Sequence, residues 1–404
     1  MAATTSNSAL NQYAVATTGG LTPNDLFIRD VPDWIPLLKR VDTPFLKLIG
    51  GLSGGAPSIP MLKAEWGWGS PDPMEDILAE DLDNSETPVD VTNGTYFQVG
   101  DIIRIDAEHM LVGSIAGNTL TVTRGFRGTS AVVHTNGATI YKIGIAIAEN
   151  ANDPLSPITQ GEVDYNYSEI VIFNWQMSER SKVTPTYESR NFSGNRFEQE
   201  LKKKMNKTAP VYLERMLLEG LRFLGNGSGV PSTMGGLQQS SYITTRNTVS
   251  ANGPLTELAF MDTAQDLYDL VGMDTMSRTV LCGSLAKRIV NSWYNDYRRS
   301  GGNDTTITNN FDIIKTDFGD FKFVVDYQLD RLGRGNELYF LNPDQIKMRP
   351  YASSTGWKTG MLATDGWYDR GFLRADVTTI WENPDARAAL TGFSLTESDY
   401  PSLA

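Results

Sequence analysis

Residues 197 to 224 read Phe197-Glu198-Gln199-Glu200-Leu201-Lys202-Lys203-Lys204-Met205-Asn206-Lys207-Thr208-Ala209-Pro210-Val211-Tyr212-Leu213-Glu214-Arg215-Met216-Leu217-Leu218-Glu219-Gly220-Leu221-Arg222-Phe223-Leu224. Phe197, Leu201, Met205, Tyr212, Leu213, Met216, Leu217, Leu221 and Leu224 recur mostly three and four positions apart. That period puts them on one face of an α-helix. Ser193 or Asn195 is placed to cap its start, and Gly225 its end. Glu198 with Lys202, and Glu200 with Lys204, are i,i+4 pairs of the favourable polarity. Pro210 has no N–H for the helix ladder and predicts a kink. A helix of about 30 residues spans about 45 Å at about 1.5 Å per residue, which is long for a globular domain and predicts a strut.

On the N-terminal side of this helix the chain has several characters in turn. Residues 1 to 20 are mostly Ala, Thr, Ser, Asn and Gly, with little to bury, and are expected to order only against a neighbour. Residues 21 to 50 are broken by Pro23, Pro32, Pro36 and Pro44, and Thr43 to Gly50 predicts one short helix. Trp66 and Trp68 flank Gly67 in an extended stretch. An acidic run follows (Asp72, Glu75, Asp76, Glu80, Asp81, Asp83, Glu86) and reads as a solvated face. From 88 to 147, short β-type runs alternate with turn residues: Thr95–Phe97, Asp101–Ile105, Thr119–Val122 after the turn Ala116-Gly117-Asn118, and Ala138–Ile143. This predicts a small all-β module. Glu169–Phe173 is a further strand candidate.

Beyond the strut, elements alternate. Glu257 to Val271 predicts a helix with Leu258, Met261, Tyr268 and Val271 inward. Thr279–Cys282 predicts a strand, Ser284 a cap for a helix through Trp293, and Phe321–Val325, Leu338–Leu341, Ala375–Ile380 and Ala386–Phe393 later strands. The class is α+β.

Composition narrows function. The chain has 404 residues, 40% hydrophobic and 21% charged, as in ordinary globular proteins. A formal net charge of −13 opposes tight, sequence-independent DNA binding, which needs clustered Lys and Arg to displace counterions. A single cysteine, Cys282, rules out an intrachain disulfide and reads as a buried inert thiol. Residues 1 to 8 lack the pattern of a signal peptide, and no apolar run approaches the about 20 residues of a membrane helix.

Each catalytic motif fails its context. Gly51-Leu52-Ser53-Gly54-Gly55 matches G-x-S-x-G, but the following Ala56-Pro57-Ser58-Ile59-Pro60 cannot open the helix a nucleophile elbow requires. Gly225-Asn226-Gly227-Ser228-Gly229 ends a helix where a phosphate loop would begin one. Asp81 to Thr92 starts like a calcium loop but carries Glu86 at the glycine position and Thr92 at the bidentate glutamate position. His109 and His134 are the two histidines, too few for a zinc site with the remote Cys282, and read as exposed or hydrogen-bonded. No catalytic, cofactor or metal residues are assigned, and the chain is expected not to be an enzyme.

The order of segments resembles the major capsid protein of tailed bacteriophages, with the HK97-like fold. The residues that carry it are Gly100-Asp101-Ile102-Ile103-Arg104 with Thr123-Arg124-Gly125-Phe126-Arg127-Gly128-Thr129, as in the branch with a β-rich insertion in the extended loop. Phe318 to Val325, Tyr339 to Asp344 and Ile346 resemble that branch's later strands. The resemblance implies an N-terminal arm at 1–51, an extended loop at 52–190 carrying the β module at about 88–147, and a spine helix of the peripheral domain at 191–234. It further implies a mainly axial domain at 235–345 and a return to the peripheral domain at 346–404. The implied function is an icosahedral shell of hexamers and pentamers around packaged DNA, without sequence-specific binding and without a membrane. It would be assembled in the host cytoplasm and found in the virion capsid. No charged helical segment precedes residue 21, so scaffolding is expected as a separate protein, with a portal and a decoration protein as further partners. Trp66, Trp68, Phe45 and Leu48 are the candidate inter-subunit contacts, since large apolar side chains anchor interface cores. The alternative reading is a carbohydrate-binding or tail-associated phage structural module, with the β module at 88–147 and Trp66 and Trp68 as its binding surface.

Overall fold

A computed structural model describes residues 42–396 except 53–57, 70–71, 148–160, 184–195, 250–252, 272–277, 294–311, 352–355 and 363–365. The polar tail, the prolines before Pro44, Ser53, and the proposed caps Ser193 and Asn195 fall outside the described residues.

Helix α1 (Pro44–Leu48) opens the description, with proline in its first turn and Gly50 at φ 79° just after it. Strand β1 (Lys63–Trp68) follows. Then come β2 (Glu75–Ile77), β3 (Pro88–Asp90), β4 (Asp101–Ile105), β5 (Glu108–Ala116), β6 (Thr119–Thr123) and β7 (Thr139–Ile145). These six form one sheet in the order β2-β7-β4-β5-β6-β3, around a core of its own that includes Leu78, Leu82, Val89, Ile103, Met110, Leu120 and Ile140. The module therefore starts at residue 75, earlier than expected. The acidic run is not simply a solvated face. Leu78 and Leu82 inside it are fully buried, and Asp76 accepts the Asn93 N–H at 2.8 Å. Two leucines among acids were enough to pull the segment onto the module. Thr95–Phe97 is likewise not a strand. Gly94–Tyr96 is a 3₁₀ turn pressed against the β5–β6 turn, where a Cβ on Gly94 would lie 1.9 Å from the Gly117 carbonyl.

Strand β8 (Glu162–Tyr167) returns to pair antiparallel with β1. Strand β9 (Glu169–Ser178), α2 (Glu179–Val183) and the strut follow. The strut comprises α3 (Arg196–Lys203), a π-turn at Lys204–Thr208 and α4 (Ala209–Glu219). Pro210 stands in the first turn of α4, directly after this π-turn, whose closing bond runs from the Ala209 N–H to the Lys204 carbonyl. The helix is shorter than expected, about 36 Å at about 1.5 Å per residue. It stops at Gly220, where a Cβ would sit 2.4 Å from the Met216 carbonyl and 2.7 Å from that of Met234. Gly225 is thus not its cap, and Leu221 and Leu224 lie past its end, exposed. Lys204 pairs with Glu200 at 3.6 Å, the i,i+4 contact the sequence set up.

The remaining strands form two sheets. β10 (Thr245–Thr248), β11 (Arg278–Cys282), β12 (Ile313–Thr316), β13 (Gly319–Val325), β14 (Glu337–Leu341) and β18 (Ala388–Thr391) run in the order β10-β18-β14-β11-β13-β12. Helices α5 (Glu257–Val271) and α6 (Ser284–Trp293) cover this sheet. The boundaries of α5 match the sequence, and its inward face matches in part: Met261 packs against the sheet's core and Tyr268 lies 5.7 Å from Phe318, but Leu258 points outward. Leu258 is 70% exposed, whereas Phe260, Thr263, Ala264 and Leu267 are buried. Two apolar stripes compete on this helix. The sheet selects the one that brings Phe260 to within 5.7 Å of Phe321, Phe323 and Phe340. Ser284 is the first residue of α6, not its cap; its N–H is met by the Asp330 carboxylate at 3.0 Å, from α7 (Tyr327–Arg331).

Strands β15 (Ile346–Pro350) and β16 (Lys358–Leu362) pair with the long β17 (Tyr368–Trp381), as does β9. The buried face of this sheet and α4 share the largest core, with Leu213, Leu217, Leu218, Val377 and Trp381. Among the described residues no helix is long and apolar enough to cross a membrane.

Candidate inter-subunit contact site

The four candidate contact residues sit on α1 and β1, and the structure treats them unequally. Phe45 is 1% exposed and Trp66 8%, both inside the chain's own core. An aromatic series joins them: Phe45 to Trp381 at 6.3 Å, Trp381 stacked on Tyr242 at 5.4 Å, and Tyr242 to Trp66 at 5.7 Å. Phe45 and Trp66 therefore offer almost no surface to a neighbour, which corrects that expectation. Their size reads equally well as an interface anchor or a core filler, and the pattern of one strand and one helical turn does not separate the two. Leu48 and Trp68 are half-buried and keep surface to offer. Burial of Trp66 also takes one of the two tryptophans from the carbohydrate-binding alternative.

Helix α1 is held to the body by backbone chemistry. Glu214 on α4 accepts the N–H of Phe45 at 2.9 Å and of Leu46 at 2.6 Å. Thr43, which precedes the helix, makes no side-chain cap, so a carboxylate from a remote helix does that work. Helix α1 is thus docked on the chain's own core.

The β1–β8 ribbon is anchored by Asn166, which is fully buried. Its amide donates to the Thr379 carbonyl at 2.9 Å and the Gly235 carbonyl at 3.2 Å, and its carbonyl accepts the Gly235 N–H at 2.8 Å. Next to it Arg222 pairs with Asp164 and lies 4.1 Å over the Tyr165 ring. Arg387 is fully buried and donates to the carbonyls of Tyr242, Glu382 and Trp381. Burial pulls its guanidinium down to about 9.

Within the module, His134 is hydrogen-bonded and buried between Asp106 at 2.8 Å and Glu108 at 3.1 Å. Glu108 also accepts from Arg124 at 2.7 and 2.8 Å and from the N–H of Gly125 and Val132. Burial pushes the Glu108 carboxyl up, but these donors outweigh it and hold it at about 2. In the calcium-loop lookalike, the Asp83 carboxylate is turned back on Ser85 and Glu86. Among the described residues no group of three or more His, Cys, Asp or Glu is placed to hold a metal. Cys282 is buried, and burial pushes its thiol up to about 12, as an inert thiol requires.

The exposed face of the β9–β17–β16 sheet carries surface that sequence reasoning missed. Ile172, Asn174, Trp357, Lys358, Phe372 and Arg374 line a groove of about 440 Å³. Elsewhere Trp367 is 88% exposed, and Met361, paired with Gly371 on the other face of β16, is 63% exposed. Which face of a strand points outward depends on register with partners remote in sequence, so no local signal would have found it.

The family model of the SU10 major capsid protein matches residues 4–394. The chain belongs to the SU10 major capsid protein family. It is accordingly a structural, shell-forming capsid protein, and its strand-rich α+β architecture agrees with the HK97-like fold expected from the sequence. A search of curated proteins finds no match. Among solved structures, the capsid of the empty GTA particle overlaps 91% of this chain and 96% of its own at 9% identity, with a TM-score of 0.47. The cyanophage A-1(L) capsid overlaps 93% and 99% at 11% identity, with a TM-score of 0.46. The Gordonia phage Cozz structure overlaps 93% and 96% at 8% identity, with a TM-score of 0.43. At this level of overlap the family match alone carries the conclusion.

Proposed function

We propose that this capsid protein tiles an icosahedral shell as hexamers and pentamers, without enzymatic activity. The single observation that carries the reading is the family match over residues 4–394. The proposed layout has an arm to residue 51, an extended loop over 52–190 bearing the β module, a spine at 191–234, a mainly axial domain at 235–345 and a peripheral return at 346–404. The sheet over residues 75–145, with its own core, supports treating the module as an insertion in the loop. Half-buried Leu48 and Trp68 and the exposed β9–β17–β16 face are proposed contact surfaces between copies. The net charge of −13 supports a shell that encloses DNA without trapping it. Separate scaffolding, portal and decoration proteins are the proposed partners, assembly is proposed in the host cytoplasm, and the product is the virion capsid. Electron microscopy of the chain co-expressed with scaffolding protein tests this. Closed shells are expected, and persistent compact monomers would overturn the reading.

A further inference from the structure

We propose that the loop after the strut, residues 220–233, is a like-to-like contact of the shell, in which the apolar tips of neighbouring copies pack against one another around a rotation axis. The inference rests on the chain building shells, and it names which surface of one copy meets which surface of the next. From Phe223 to Thr245 the sequence holds no Asp, Glu, Lys, Arg or His, although 21% of the chain is charged. Inside that gap Phe223, Leu224 and Val230 are 53%, 52% and 46% exposed, and Leu221 just before it is 59% exposed. Apolar side chains free of charge are the composition of an interface core rather than of a solvated loop.

The loop is built to hold that surface in one shape. Phe223 and Thr233 exchange backbone hydrogen bonds at 3.1 and 3.0 Å, and the Thr233 hydroxyl donates to the Leu221 carbonyl at 2.8 Å. The Gly225 N–H donates to the Ser232 hydroxyl at 3.0 Å, and a Cβ at Gly225 would lie 2.1 Å from the Val230 carbonyl. At the turn, Asn226 Oδ1 accepts the N–H groups of Ser228, Gly229 and Val230. Arg222, which borders the gap, is turned away from the tip: it pairs with Asp164 and donates to the Tyr165 carbonyl at 2.9 Å. A loop already fixed in its bound shape loses little entropy on docking.

Charge decides the occupant. A surface that meets its own copy about an axis brings identical residues together, so any charge on it faces a like charge. Two other exposed apolar surfaces fail that test. Met74 and Ile77 on the module's edge stand beside exposed Asp72 and Glu75. Ile172 and Phe372 in the sheet groove stand beside exposed Lys358 and Arg374. Those two suit a partner of opposite sign. The 220–233 loop, apolar and neutral, is complementary to itself.

Cross-linking in shells assembled by co-expression with scaffolding protein tests the contact. Ser228→Cys puts a thiol on the exposed turn, while the chain's own Cys282 is buried. Under a mild oxidant the variant is expected to shift from monomer to disulfide dimer on a non-reducing gel, well beyond Asn84→Cys, an exposed position in the acidic run. Phe223→Asp and Phe223→Lys leave the exposed side chain's own fold contacts few, so each chain should unfold at the wild-type temperature. Each alone is expected to cut shell yield by about tenfold or more, because like charges then meet, and co-expression of the two to recover most of it. Wild-type shells with no more dimer from Ser228→Cys than from Asn84→Cys overturn the like-to-like contact and leave shell formation standing. So do Phe223 variants that assemble normally alone, or no better together than apart. A wild-type chain that forms no shells overturns the shell reading, and this inference with it.

Discussion

Glu108→Gln isolates the buried ion cluster of the β module. Arg124 and Glu108 have side chains 7% and 0% exposed, and the guanidinium also serves the carbonyls of Asp83, Glu86 and Val132. Glutamine has nearly the shape of glutamate, but its amide NH₂ must face one of the donors that Glu108 accepts. Two estimates of the loss agree. Lowering a carboxyl from 4.5 to about 2 is worth about 3 kcal/mol of stability. Breaking a buried pair by removing one partner costs about 3–5 kcal/mol. The sign is that of a depressed acid: the contribution is complete above pH 4.5 and is lost as pH falls towards about 2. Hydrogen exchange on the full chain reads it at the β4–β6 amides. The variant should open there more easily by about 3 kcal/mol at pH 7. Wild type should approach the variant's opening energy as pH drops from 5 to 3, while the variant stays level. A variant within about 0.5 kcal/mol of wild type at pH 7, or a wild-type profile level through that range, would refute the reasoning.

Asn166→Ala removes every side-chain bond that ties the β1–β8 ribbon to Gly235 and Thr379 and leaves buried groups unsatisfied; thermal unfolding should report a loss of about 2–4 kcal/mol. Gly220→Ala drives a Cβ into two backbone carbonyls that cannot rotate away, so urea unfolding should show about 1–3 kcal/mol of destabilisation despite alanine's better helix propensity. Cys282 should resist thiol reagents at pH 8 in the folded chain and react at once in denaturant; rapid labelling of the native chain would contradict its burial.

Much of the fold is legible because it rests on local period. The boundaries of α5 coincide with the stretch read from sequence, and β11, β13 and β14 appear where β-branched and aromatic runs stand. What was not legible depends on partners far along the chain. The inward face of α5 is chosen by Phe321, Phe323 and Phe340, and the end of the strut by the close approach of Met234 to Gly220. The acidic run joined the module because Leu78 and Leu82 had a hydrophobic core within reach, which charge counting cannot show.

The candidate contact residues failed for a related reason, and the failure bears on how a tile is built. Phe45 and Trp66 are large apolar side chains in two short segments, α1 and β1, and such side chains suit an interface anchor as well as a core. The structure gives those segments a core by sending both rings to Trp381 and Tyr242. The last turn of the arm and the base of the ribbon are thereby fixed to the body, by Glu214 in one case and Asn166 in the other. Exposed apolar surface lies elsewhere, on the β9–β17–β16 face and at Trp367. Fixing α1 and the β1–β8 ribbon to the body lets every copy hold these two elements at the same angles, as repeated contacts in a closed shell require.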